Sequence, residues 1–154
     1  MSDYRGIYVI GSPEFRPLKI GTTSQVRLRR ATMQSGCPYK LHLYAFFCGP
    51  EAGVDMTEKQ VHSDLKGAGK HHRGEWFNIG HDEATEAVLA AGRKVGAVLE
   101  PPATVLEMMR GLIEATPFDA SEAAIAARDE MVRLARYMGE VIWLQRNPLT
   151  APDV

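Results

Sequence analysis

The chain has 154 residues, 45% hydrophobic and 24% charged, a balance that suits one globular domain with a small extension. Cys37 and Cys48 are too few for a secreted disulfide framework and are read as free thiols. No apolar run nears the roughly 18 residues that cross a bilayer, and the N-terminal MSDYRG lacks a basic segment followed by an apolar stretch, so a cytoplasmic chain with no membrane partner is expected. The net charge of −1 hides an asymmetry: residues 1–80 carry 11 Lys or Arg against 7 Asp or Glu, while 81–154 carry 7 against 12. The basic half suits local contact with a polyanion, although its excess is far below that of a protein that holds nucleic acid by charge alone. The acidic half would repel a phosphate backbone.

Taken in chain order, Gly6–Ile10 and Leu18–Gly21 alternate apolar residues and flank the turn-rich SPEFRP, which predicts an antiparallel hairpin. Side-chain alternation then lets Tyr8 and Lys19 project from one face. Thr23 or Ser24 is placed to cap a helix to about Gln34, stopped by Gly36. On it, Arg29 shares the apolar side with Val26 and Met33, where a guanidinium wants an anion; Arg27 and Arg30 read as solvated surface. Leu41–Cys48 reads as a central strand covered on both faces. A helix from about Ala52 to Lys66 follows, with Met56, Val61 and Leu65 as core and Glu58 and His62 one turn apart. KHHR at 70–73 reads as a solvated loop able to touch phosphates, and GEWFNI as a loop entering a short strand or packed turn, with Trp76 and Phe77 in the core.

The second half is helical. Asp82 is a plausible N-cap for a helix whose Ala84, Val88, Ala91, Val95 and Val98 form one face, and Ala124, Ala127, Met131, Leu134, Met138 and Val141 form another. Between them lies a shorter helix bracketed by Pro101 and Pro117, with Val105, Met108, Met109 and Leu112 apolar; LTAPDV is expected to fray. Three helices thus seek cover within the chain, from a homodimer partner, or from another protein.

GIY, then KIG, then an arginine eight residues after that glycine, then QSGCP, then E-x-x-x-H and GEWF resemble, in that order, the GIY-YIG nuclease superfamily, in the phage and bacterial branch whose second motif begins with lysine. The resemblance covers about residues 4–90. It implies an α/β (α+β) fold with a small three-stranded antiparallel sheet flanked by helices, which agrees with the elements above. The expected organisation is a nuclease-like domain over 1–90 and a helical appendage over 91–154.

The resemblance also implies chemistry: a metal-dependent endonuclease that hydrolyses DNA, double-stranded DNA foremost, in a phage, mobile-element or defence setting. Carried onto matching positions, Glu58 holds Mg2+ or Mn2+, Arg29 neutralises the scissile phosphate, and Tyr8 and Lys19 surround the attacking water. Hydrolysis of a phosphodiester needs an in-line water, a proton acceptor, and positive charge where negative charge accumulates. Tyr8 is preferred as base or water-positioning group, Lys19 as electrostatic helper, and His62 as a proton-transfer group or a support for the metal ligand. Met33 stands where many members carry a further Tyr or His, and Glu75 is an alternative metal ligand or a partner for an arginine. The competing readings are a domain that keeps the fold and binds nucleic acid without cutting, a regulatory module acting through the acidic helices, and a zinc module built from Cys37, Cys48, His62 and His71 or His72.

Overall fold

The computed structural model describes residues 4–115 and 121–147, and the expectations for Pro117 and Leu149–Val154 lie outside them. The elements run β1 (Tyr4–Ser12), β2 (Phe15–Thr23), α1 (Val26–Ser35), β3 (His42–Pro50), α2 (Glu51–Gly67), β4 (His71–Arg73), β5 (Trp76–Phe77), α3 (His81–Val95), α4 (Pro102–Ala115) and α5 (Glu122–Arg146). The strands form one antiparallel sheet in the order β3-β1-β2-β5-β4, five strands where three are expected. The two extra ones come from the KHHR and GEWF segments, too short to show strand periodicity.

The hairpin forms as the alternation predicts. Tyr8 lies opposite Gly21 and Ile10 opposite Lys19, which puts Tyr8 and Lys19 on one face of the sheet. Ile7, Val9, Leu18 and Ile20 point to the other face, into a core with Val54, Val61 and Leu65 of α2 and Ala84, Val88 and Ala91 of α3. The Tyr8 face packs Ile10, Leu43 and Phe46 against Val26 of α1, Val105 and Met109 of α4, and Leu134, Tyr137, Val141 and Leu144 of α5. Each face of the sheet therefore carries its own core.

Leu41–Cys48 is predicted as a central strand, but β3 is an edge strand. It reads as buried on both sides because both cores reach it, Ala45 entering one and Leu43, Phe46 and Cys48 the other. Its outer edge is closed where Cys48 and Glu100 exchange both backbone hydrogen bonds, at 2.7 and 2.8 Å. That segment also carries the chain from α3 on one face to α4 on the other, so α4 and α5 cover the sheet itself. The expected 90/91 boundary falls within α3, which packs along α2.

Several local expectations change. Thr23 does not cap α1; its hydroxyl accepts the Gln25 N–H, and Gln25 takes the N-cap position. Met56 is 51% exposed, and Val54 and Thr57 are the buried residues on that turn of α2. Gly80 precedes α3, Asp82 lies in its first turn, and the helix stops at Val95 because Gly96 adopts the left-handed conformation, leaving Val98 exposed. Arg30 is half-buried, its guanidinium 4.3 Å from the centre of the Trp143 ring on α5.

Candidate active site

The groups singled out in the sequence gather at the end of β2, where β5 stops and leaves the strand edge open. Tyr8 is 1% exposed, and its hydroxyl lies against the hydrogen face of Gly21, in the space a Cβ would fill. The tyrosine of the first motif thus needs the glycine of the second. Gly6 does the same for the Phe46 ring.

Burial pushes the Tyr8 phenol up to about 12, and the charges acting on it are those of Arg29, which lowers it, and of Glu75 and Glu58, which raise it. Three charges from α1, α2 and the β4–β5 turn therefore act on one phenol of β1. Arg29 is exposed, contrary to the inward placement its spacing predicts, and stands at a recess of about 380 Å³ with Arg5, Thr23, Ser24, Gln25, Leu28 and Thr32. The helix turns its apolar stripe through Val26 and presents Arg29 beside the sheet.

Glu58 reaches the same place from the opposite face. It is half-buried, its Oε2 accepts a 3.3 Å hydrogen bond from the Thr22 hydroxyl, and it makes no ion pair among the described residues. Burial raises its carboxyl above the usual range, with Glu75 and Asp55 adding to the rise and His62 and the Thr22 bond opposing it. Sequence reading misses Thr22, because a hydroxyl one residue after a motif glycine has no distinguishing pattern.

His62, one turn on, has Nε2 2.8 Å from the Ile20 carbonyl and its ring 5.1 Å from that of Phe77. A carbonyl only accepts, so Nε2 carries the proton and Nδ1 holds the lone pair when the ring is neutral. Ile20 donates its own N–H to the Glu75 carbonyl at 3.2 Å, so His62 continues the pairing of β2 where β5 ends. Lys19 Nζ lies 3.1 Å from Glu75 Oε2, which makes a lysine, not an arginine, the partner of that carboxylate.

The thiols and imidazoles of the zinc reading do not converge. Cys48 is sealed in β3 with its thiol pushed up to about 12 by burial, Cys37 follows α1, and among the described residues no three His, Cys, Asp or Glu side chains come together as a metal cage. No described helix is long and apolar enough to cross a membrane.

A family model described as the T5orf172 domain matches residues 5–91, more than half of the chain. The chain belongs to this family. No curated protein and no solved structure matches it. The T5orf172 match runs from β1 into α3 and takes in Tyr8, Lys19, Arg29, Glu58, His62 and Glu75, so the whole constellation lies within the domain.

Proposed function

We propose that the protein is a divalent-metal-dependent endonuclease that hydrolyses phosphodiester bonds of double-stranded DNA by chemistry of the GIY-YIG kind. The observation that carries the reading is the buried Tyr8 hydroxyl against Gly21, with Glu58 held by the adjacent Thr22 and the charges of Arg29, Glu75 and Glu58 all acting on that phenol. Membership of the T5orf172 family agrees with a nuclease or DNA-binding role. The donor chemistry fits a hard cation: Glu58 offers oxygen, and burial together with its like-charged neighbours makes its ionised form wait for a positive partner. Glu58 would hold magnesium or manganese, with Glu75 the other carboxylate of the site. When bound, such an ion supplies positive charge to the phosphate oxygens and acidifies water.

The protein's own groups supply the rest. Arg29 offers a forked donor to the non-bridging oxygens of the scissile phosphate, where charge grows in the transition state. Lys19, steered by Glu75, adds positive charge on the same face. A phenol pushed up to about 12 stays protonated near neutral pH, so Tyr8 orients the attacking water and does not take its proton. That proton is assigned to Nδ1 of His62, the lone pair left by the bond to Ile20.

Plasmid cleavage with magnesium or manganese tests the proposal. Glu58→Gln and Arg29→Ala should each slow it by about 100-fold or more with unchanged circular dichroism, the usual loss when one transition-state charge contact is removed. Equal cleavage by wild type and both variants overturns it. The burial of Tyr8 favours a second reading, binding without cutting, because a residue 1% exposed leaves its hydroxyl little room for water. On that reading no metal yields cleavage, while gel-shift affinity for DNA persists in Glu58→Gln.

A further inference from the structure

Along the Tyr8 face, toward the tip of the β1–β2 hairpin, lies a recess of about 570 Å³ that the sequence reading does not anticipate. Three aromatic rings line it. Phe15 stacks on Tyr39 with ring centres 5.7 Å apart and planes 14° apart, and meets the edge of Trp76 at 6.0 Å. The register explains the assembly: Lys19 lies opposite Trp76, and Trp76 opposite Arg73, so Phe15, Lys19, Trp76 and Arg73 share one face of the sheet. Tyr39 comes from the loop after α1.

Two of these rings remain open to water, Phe15 at 37% and Tyr39 at 39% exposure, although large apolar side chains beside a cleft are normally covered. The rim is basic. His72 and Arg73 on β4 line the recess, and neither makes an ion pair among the described residues. Exposed Lys40 follows Tyr39 in the chain. Glu75 is tied to Lys19, and Lys19 belongs both to this recess and to the candidate active site.

Flat rings partly open to water and a cationic border match a nucleobase with its phosphates, since every base has a π-face and stacks without regard to sequence. The recess is of the size that takes a single small molecule of base dimensions. We propose that it receives an unpaired DNA base, stacked beside Tyr39 and Phe15, with its flanking phosphates on His72 and Arg73. This rests on the nuclease reading and narrows its substrate to duplexes with a single-stranded tail, gap or opened stretch next to the cut.

The test is fluorescence anisotropy in EDTA, so that no cutting occurs, with a labelled duplex compared to the same duplex carrying a five-nucleotide tail that includes 2-aminopurine. The tailed DNA should bind about ten-fold or more tightly, with quenching of the 2-aminopurine. Tyr39→Ala should remove about five- to a hundred-fold of its affinity, the effect of losing one base–ring stack. Tyr39→Phe, which keeps the ring, should retain the preference and so separate stacking from folding. Equal affinity for both DNAs, unchanged in Tyr39→Ala, overturns this inference even if plasmid cleavage depends on Glu58. Absence of all DNA binding, or a dimer in sedimentation that Tyr39→Ala dissolves, overturns it as well, and the first of these, if it persists with calcium in place of EDTA, also ends the nuclease reading.

Discussion

The two faces of the sheet are built from different kinds of sequence. The Glu58 face is covered by α2 and α3, which follow the strands closely in the chain and form a continuous apolar core. The Tyr8 face is covered by Val26 and Met33 of α1, at one end by α4 and α5, which arrive from the far end of the chain, and toward the hairpin tip by the rings of Phe15, Tyr39 and Trp76. Local cover is complete, whereas distant cover stops short, and the candidate chemistry lies where it stops. Gly21 sits at that boundary, with a buried phenol on one side and a carboxylate arriving from the other.

Weakening the distant cover should destabilise the whole sheet. Leu134 on α5 is 2% exposed in the same core as Tyr8 and Ile10. Leu134→Ala should cost about 2–5 kcal/mol, the range for a large-to-small change in a packed core, and should do so in a single urea transition. Two transitions, with the sheet melting at its original midpoint, would make α4 and α5 a separate appendage. Gly21→Ala comes next. Its new methyl must displace the Tyr8 hydroxyl, which should cost about 1–3 kcal/mol as overpacking and abolish cleavage, whereas Gly80→Ala, with open space around it, should leave cleavage unchanged.

How much of this was legible follows from the same contrast. The hairpin, α1, α2 and the helices of the second half announce themselves by periodicity, and the order of motifs marks the residues that gather at the end of β2. The match to the T5orf172 family covers that same stretch. What sequence hides is what depends on pairing at a distance. Two- and three-residue strands show no alternation, so β4 reads as loop and β5 as a short strand or a packed turn. Arg30 looks solvated until α5 brings Trp143 to it, and Glu140 has no visible role until its carboxylate accepts the Arg27 N–H at 2.8 Å. Thr22 and Phe15 are ordinary residues whose meaning comes from register alone.

The distant cover also holds α1, through a clasp from α5. Glu140 supplies the first turn of α1 with the acceptor that Thr23 does not, and Arg30 lies over Trp143. Glu140→Ala should cost about 0.5–2 kcal/mol, the scale of a lost helix cap, and Trp143→Leu about 0.5–1 kcal/mol through the cation–π contact. Because α1 carries Arg29, both should also weaken cleavage more than a change of equal stability on α3. Thermal melts paired with plasmid assays check this, and cleavage that follows stability alone would mean that the clasp does not position Arg29.

The smallest effect has the most telling sign. The folded protein raises the Glu58 carboxyl above its ordinary 4.5, chiefly by burial. Between the unfolded and folded values the native state holds a proton that the unfolded chain has released, so stability is greatest below that window and falls as pH rises through it. Glu58→Gln keeps an acceptor for the Thr22 hydroxyl and removes the charge. The variant should therefore match the wild type in urea midpoint near pH 4 and exceed it slightly at pH 7. Added magnesium should raise the melting temperature of the wild type and leave that of the variant unmoved, because a ligand stabilises only the state that binds it. A variant less stable at both pH values would make Glu58 a structural acceptor. The predicted pattern, a carboxylate that costs stability until a cation arrives, is what separates a site kept for function from one kept for packing.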